Sequence, residues 1–315
     1  MKKTLRFKML TLLLALAVAI SLAGCSKAAS TSAPVDKTPA PEVNVVADAA
    51  NAYFANLSDD SNKISQADFV EKVKAGEDMF VMDIRQADVY GEGHIKGAVN
   101  LPWGTDISDN LAKLPTDKPI YVYCYTGQTA GQTVALLNVA GFNAKSVNLG
   151  WDRGLSKVEG IADVTVKEAT TIDDAVNTEV APEIKAAIDE YFAKLAEVKG
   201  TTYANYKISE DDAKALLDAK DDSVMFLSVR KAADYAEGHI EGAINIPYGN
   251  GMQASFEQLP MDKKIIVYCY TGQTAGQTVA ILKLLGYDAV SLNSGMGMET
   301  TGETGWANKG FPVVK

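Results

Sequence analysis

Histidine is nearly missing from this chain: His94 and His239 are the only two in 315 residues. They stand in separate halves of the sequence, so neither half offers the cluster of ligands that a zinc-type site needs, and no metal is expected. Cysteine is almost as scarce, with three. An excess of positive charge is absent altogether, since 30 Lys and Arg face 40 Asp and Glu for a net charge of −10. Without a basic stripe to displace phosphate counterions, a nucleic-acid partner is excluded. The acidity serves solubility. Long apolar runs are lacking too: the stretch from Met9 to Ala23 falls short of the roughly 20 residues that cross a bilayer comfortably. What remains, 47% apolar and 22% charged residues, is ordinary globular composition. The length allows about two domains at roughly 100–200 residues each.

The short apolar run belongs to a processing signal. Lys2, Lys3, Arg6 and Lys8 precede it, and it ends in Leu22-Ala23-Gly24-Cys25, which resembles a bacterial lipoprotein box. The resemblance implies a signal peptide over residues 1–24, cleavage before Cys25 and lipidation of the Cys25 thiol. An uncleaved membrane anchor is the alternative. The following "SKAASTSAPVDKTPAPEV" has almost nothing to bury, so residues 25–45 read as a flexible tether. The expected location is the cell envelope, with the protein lipid-anchored to the membrane on its extracytoplasmic side.

The stretch "VYCYTGQTAGQTVA" occurs twice without a change, from Val122 to Ala135 and from Val267 to Ala280. Arg85 and Arg230, His94 and His239, Pro102 and Pro247, and Cys124 and Cys269 all share one offset of 145 residues. A fixed offset means matching elements with matching loops. The expected domains are residues 60–158 and 204–315, joined by a linker over 159–203. An apolar-striped helix precedes each copy, marked by "YFANL" at Tyr53 and "YFAKL" at Tyr191. In the second, Ile184, Ile188, Tyr191, Phe192 and Leu195 recur at helical spacing; this is a packing or spacer element.

Within a copy, helices and short apolar strands alternate. "ISQADFVEKVKAG" predicts a helix opening at Ser65 and closing at Gly76. "MFVMDI", "GAVNLP", "PIYVYC" and "AKSVNL" predict strands, and "TAGQTVALLNVAG" a second helix. This alternation points to an α/β fold with a parallel sheet covered by helices on both faces. Ligands gather at the carboxyl ends of such strands, where Cys124 and Cys269 fall.

A strand that ends in Cys, turns through Gly and opens a helix sets the sulfur beside unpaired backbone amides and the positive end of the helix dipole. Successive amides in a tight turn also make an anion-binding nest. The setting favours a thiolate nucleophile next to an anion cradle. The repeated stretch therefore reads as a reactive loop, with the rest of each repeat its mount. A structural disulfide between the two loops is the competing reading for an exported protein.

Two motifs per copy carry a resemblance to the rhodanese family, the thiosulfate sulfurtransferases and their relatives. One is Asp83-x-Arg85 leading to "GHIKGAVNLP", matched by Arg230 and "GHIEGAINIP"; the other is "CYTGQT" at 124–129 and 269–274. The resemblance implies two rhodanese-like domains, with Cys124 and Cys269 as catalytic residues that carry sulfane sulfur as persulfides. Tyr125, Thr126, Gly127, Gln128 and Thr129, with Tyr270, Thr271, Gly272, Gln273 and Thr274, would form the amide cradle. Arg85 and Arg230 join them as candidate substrate-binding residues. The donor is a small sulfur compound such as thiosulfate, the acceptor a thiol or cyanide, and no cofactor is required. His94 and His239 then fix turns rather than move protons.

The chain departs from that pattern in three places, and in a fourth its two copies differ from each other. The sixth loop position, often Arg in the family, is Thr129 and Thr274. Ser228 replaces the Asp before Arg230, leaving that guanidinium without its carboxylate. Two cysteines of catalytic type are present, where tandem members commonly keep one, which suggests two working sites. After the last strand, copy one reads Gly150-Trp151-Asp152-Arg153 and copy two Gly295-Met296-Gly297-Met298. The resemblance places this turn beside the cysteine, so Arg153 is a candidate to supply the charge the loop lacks.

Two other readings compete with a sulfurtransferase enzyme. One is a non-catalytic persulfide carrier or binding protein of the cell envelope, which turnover of a small donor would distinguish. The other is a phosphatase or arsenate reductase on a related fold, against which a six-residue loop without Arg speaks. For the N-terminus, Cys25→Ser should abolish lipid labelling and block processing at that position. Labelling unchanged in the variant would rule out the lipoprotein reading.

Overall fold

The computed structural model describes residues 44–315. The expected signal peptide, the expected lipidation site Cys25 and the expected tether as far as residue 43 lie outside the described residues. The first repeat runs α1 (Val45–Ala55), β1 (Lys63–Ile64), α2 (Gln66–Ala75), β2 (Phe80–Asp83), α3 (Ala87–Glu92), β3 (His94–Ile95), β4 (Ala98–Asn100) and α4 (Thr105–Asp109). It continues through β5 (Ile120–Tyr123), α5 (Gln128–Val139), β6 (Ala144–Val147) and β7 (Thr165–Val166). The second repeat runs α6 (Pro182–Ala193), α7 (Leu195–Val198), β8 (Lys207–Ile208), α8 (Glu210–Asp218), β9 (Val224–Ser228), α9 (Ala232–Glu237) and β10 (Ile244–Asn245). It ends with β11 (Lys264–Tyr268), α10 (Gln273–Leu284) and β12 (Ala289–Leu292).

Each repeat builds one five-stranded sheet, in the orders β1-β6-β5-β2-β4 and β8-β12-β11-β9-β10. Every pairing within these two sheets is parallel. The central strand β5 is buried along its whole length, as a strand covered on both faces must be. Local signals set the helix ends. The Ser65 hydroxyl accepts a bond from the Asp68 amide at the start of α2, and Gly76 closes it in the left-handed conformation at φ 66°. Ser209 caps α8 in the same way, through the Asp212 amide.

The segment 159–203, expected as a linker with a spacer helix, does contain that helix as α6. Its first part, however, is pinned to the first repeat. Strand β7 pairs antiparallel with β3, and Thr170 bridges to Val99.

The two repeats interlock through their leading helices. Helix α1, which precedes the first repeat, packs on the second: Phe54 meets Tyr248 and Phe256 edge to face at 5.6 and 5.7 Å. Its terminal carbonyls accept bonds from the Gly251 amide and the Asn250 side chain. Helix α6 does the reverse, setting Phe192 against Trp103 of the first repeat at 5.1 Å. One apolar core thus runs through both repeats, from Phe54 and Val134 to Phe192 and Val279. Smaller cores lie on the outer faces, around Phe69 and Tyr121 in the first repeat and Phe226 and Trp306 in the second.

Helices α5 and α10 meet at the centre, and this changes the account of the identical stretch. Gly131 faces the Gln273 carbonyl so closely that a Cβ there would lie 2.3 Å from the oxygen; at Gly276 a Cβ would lie 2.4 Å from the Gln128 carbonyl oxygen. The glutamines cross over. Gln128 donates to Ser291 Oγ (2.7 Å) and the Leu292 carbonyl, while Gln273 donates to Ser146 Oγ (2.7 Å) and the Val147 carbonyl. One turn on, Gln132 bonds Tyr191 and the Asn205 carbonyl, and Gln277 bonds Tyr53, Tyr248 and the Ser61 carbonyl. A surface that packs on its own copy about a two-fold must be self-complementary. The sequence alone assigns the repeated residues to a reactive loop; their helical part, from Gln128 onward, is also the interface between the repeats.

Replacing Gly131 or Gly276 by Ala should cost on the order of 1–3 kcal/mol, the usual range for overpacking. Gly91, where an added Cβ meets nothing within 4 Å, provides the control. Denaturant unfolding checks this, with Gly91→Ala expected within about 0.5 kcal/mol of the parent. Equal stability of all three variants would remove the helix contact as a constraint.

Candidate active site

Strands β5 and β11 deliver Cys124 and Cys269 to the carboxyl edges of their sheets, where each sequence turns through Gly127 or Gly272 into a helix. These glycines sit at φ 89° and 91°, a left-handed conformation that brings their amides back toward the sulfur. The Gly127 amide donates to Cys124 Sγ at 3.1 Å and the Ala130 amide at 3.4 Å; the Gly272 amide donates to Cys269 Sγ at 3.1 Å. Both thiols are free and only 2% exposed. The disulfide reading is therefore set aside. The cradle is narrower than the expected residues 125–129 and 270–274, and Ala130 lies outside that range.

The turn after the last strand braces each loop, as the resemblance implies. Trp151 and Asp152 amides donate to the Cys124 and Tyr125 carbonyls, and Met296 and Gly297 amides to those of Cys269 and Tyr270. Side chains at Gly150 or Gly295 are excluded, because a Cβ would lie 2.5 or 2.4 Å from the cysteine carbonyl oxygen. The tyrosine hydroxyls serve the frame as well. Tyr125 accepts the Gln86 amide, while Tyr270 accepts the Lys231 amide and donates to Asp234.

A cavity of about 340 Å³ opens over Cys269. Tyr270, Thr271, Gln273, Thr274, Met298 and Thr300 line it from the second repeat. The rest of its wall, Lys63, Gln66, Asn148 and Leu149, comes from the first. A larger depression of about 760 Å³ lies over α2 and β1, but no cysteine lines it. Size does not locate the chemistry here. Of the expected loop residues, Gln128 and Gln273 have their amide nitrogens committed to the opposite repeat.

Arg85 and Arg230, expected as substrate-binding candidates, have their guanidinium groups engaged within their own repeats. Arg85 is 1% exposed; its guanidinium bonds the Asp83 carboxylate at 2.7 Å and the Gly93 carbonyl at 2.8 Å, and lies 4.2 Å from the Trp151 ring centre. A carboxylate two residues away in the chain has claimed the charge. Arg230 bonds the Gly238 carbonyl, and with Ser228 in the place of that carboxylate its Nε has no partner among the described residues. His94 and His239 fix turns as expected: each stacks on a tyrosine and sets Nδ1 against that tyrosine's carbonyl oxygen. No group of three potential metal ligands occurs among the described residues.

Arg153 spans the two repeats, bonding Ser294 Oγ at 3.0 Å and Thr304 Oγ1 at 2.8 Å. Burial pushes it below its ordinary value, with Glu210 and Asp152 opposing. In the second repeat Lys207 stands on β8, in register with Ser291. Burial pushes that ammonium down, the Cys124 sulfur opposes the fall, and Arg153 adds to it. Sequence reasoning missed Lys63 and Lys207. Their signal was the tripeptide Lys-Ile-Ser, which opens the first sheet strand of each copy.

Comparison with known proteins agrees with this architecture. The rhodanese-like domain matches residues 65–157 and 209–297, together more than half of the chain. A protein named "Sulfurtransferase" from Allochromatium vinosum is 29% identical over 107 residues, which cover 34% of this chain and 91% of the relative. The HTH-type transcriptional regulator Rv0324 of Mycobacterium tuberculosis is 35% identical over 79 residues, so the chain spans only 34% of that relative's length and 25% of its own. A solved thiosulfate sulfurtransferase of Pseudomonas aeruginosa shares 19% identity, with a TM-score of 0.31 over 82% of this chain and 48% of that one. With a matching domain in each repeat, the chain belongs to the rhodanese-like domain family.

Proposed function

We propose that this protein is a sulfurtransferase that carries sulfane sulfur on Cys124 and Cys269. The observation that carries the reading is the pair of free thiols at helix N-termini with backbone amides donating into each sulfur. Such donors stabilise negative charge on the sulfur and on the outer sulfur of a persulfide.

The reaction takes two displacement steps. The cysteine thiolate attacks the outer sulfur of a donor such as thiosulfate. A new S–S bond forms, the old one breaks, and sulfite leaves with the electron pair. An acceptor thiolate or cyanide then attacks the outer sulfur of the persulfide and restores the cysteine thiolate. No proton need move at the enzyme in either step, in keeping with histidines held in turns. The near-complete burial of both sulfurs favours small donors and acceptors that can enter the cavity.

Treatment of the Cys25→Ser chain with thiosulfate should add up to two sulfur atoms, read by intact mass. Cys124→Ser and Cys269→Ser should each remove one, and the double variant both. Uptake unchanged by either substitution would end the catalytic assignment. Persulfide formation without turnover to an acceptor would favour a carrier.

A further inference from the structure

A thiosulfate-like donor brings two negative charges to a loop that has no cation of its own. Asp83, or the Gly93 and Gly238 turns, hold Arg85 and Arg230 elsewhere. Yet the cavity over Cys269 is not neutral. Lys63 is the one charged residue among its lining residues, and no carboxylate faces it there. The lysine belongs to the other repeat.

The fold explains how it gets there. Lys63 stands on the edge strand β1, in register with Ser146 of β6. The Ser146 hydroxyl is held by the side-chain amide of Gln273 from the Cys269 loop, and the Oε1 of the same side chain accepts the Leu149 amide. The edge of the first sheet is thus bolted to the reactive loop of the second, and Lys63 stands at that junction. The Lys63 ammonium has no ion-pair partner among the described residues.

The same geometry is repeated about the two-fold. Lys207 stands on the edge strand β8 in register with Ser291, whose hydroxyl accepts a bond from Gln128 of the Cys124 loop. One neighbour differs: Gln66, in the wall over Cys269, corresponds to Glu210, a buried carboxylate that accepts the Gly305 amide at 2.6 Å.

We propose that each reactive cysteine receives its anion-binding cation from the opposite repeat, Lys63 serving Cys269 and Lys207 serving Cys124. The proposal takes its substrate from the sulfurtransferase reading and its cation from geometry alone. It makes the donor of the Cys269 site a small anionic sulfur compound. It also makes each active site the joint product of both repeats. On the Cys124 side a carboxylate, Glu210, takes the place of the neutral Gln66, so the Cys269 site is the more selective for anions.

The test compares two alkylating agents of similar size, anionic iodoacetate and neutral iodoacetamide, on Cys269 in the full chain. Mass spectrometry of the peptide containing Cys269 gives both rates, and their ratio cancels changes in access to the sulfur. Lys63→Gln should lower the iodoacetate-to-iodoacetamide ratio by about tenfold, as loss of a nearby charge at intermediate dielectric would. Lys63→Arg should restore most of it, and rising ionic strength should compress the ratio in the parent more than in Lys63→Gln. An unchanged iodoacetamide rate shows that the variant is folded. In a Cys124→Ser background, Lys63→Gln should raise KM for thiosulfate about tenfold with a smaller change in kcat.

A ratio indifferent to Lys63, or one that falls equally in Lys63→Gln and Lys63→Arg, overturns the proposal. The two readings fail separately. If no donor loads Cys269 while the alkylation ratio still follows Lys63, the sulfurtransferase reading falls and the cation assignment stands. If thiosulfate loads Cys269 equally well without Lys63, the reverse holds.

Discussion

Everything in this molecule hangs on how closely α5 and α10 approach one another. The two helices touch through glycine, with Gly131 and Gly276 each against the other helix's first carbonyl. That contact brings Gln128 and Gln273 within reach of the opposite sheet. There each replaces water with the Ser291 or Ser146 hydroxyl and a strand-end carbonyl. All four glutamines of the two stretches are at most 3% exposed. Left unpaired at such depth, a polar group costs about 1–3 kcal/mol. The network therefore holds only as a whole. It fixes the distance between sheets, and with it the position of one repeat's edge strand beside the other's cysteine loop.

The cysteine cradle and the contact between repeats consequently share residues. The helix that begins at Gln128 points its first amides at sulfur and its first side chain at the neighbouring sheet. A substitution at Gln128 would move both at once, loosening the repeat contact and shifting the Gly127 amide beside it. This coupling explains why the repeated residues extend so far beyond the cysteine. A thiolate needs a turn and one helical turn of amides; a two-fold helix contact needs matching residues along its length.

Much of this was legible from the chain. The constant 145-residue offset, the strand-to-loop-to-helix pattern around each cysteine and the capping residues Ser65 and Gly76 follow from local chemistry and emerge where expected. So does the orphaned Arg230, because its missing partner is two residues away. What stayed hidden was long-range. An offset shows that two elements correspond, but not that they touch, so Gln128 read as a ligand for substrate rather than for Ser291. Lys63 drew no reading from the sequence. Only the pairing of β1 with β6, and the placement of Cys269 against them, gives it a neighbour. Arg85 misled for the opposite reason: its type suggested an anion, and its local partner Asp83 supplied one.

The exchange of α1 and α6 between repeats bears on the order in which the chain acquires its shape. Phe54 waits for Phe256, some two hundred residues later, and Trp103 waits for Phe192. A first half that has just been made has its sheet but not the cover for its inner face. Contacts of such sequence separation slow folding and prolong the exposure of apolar surface. The nascent chain thus cannot mature repeat by repeat. Contacts of this kind put the packing of α10 against α5 late, and that packing sets both cysteine loops in place together.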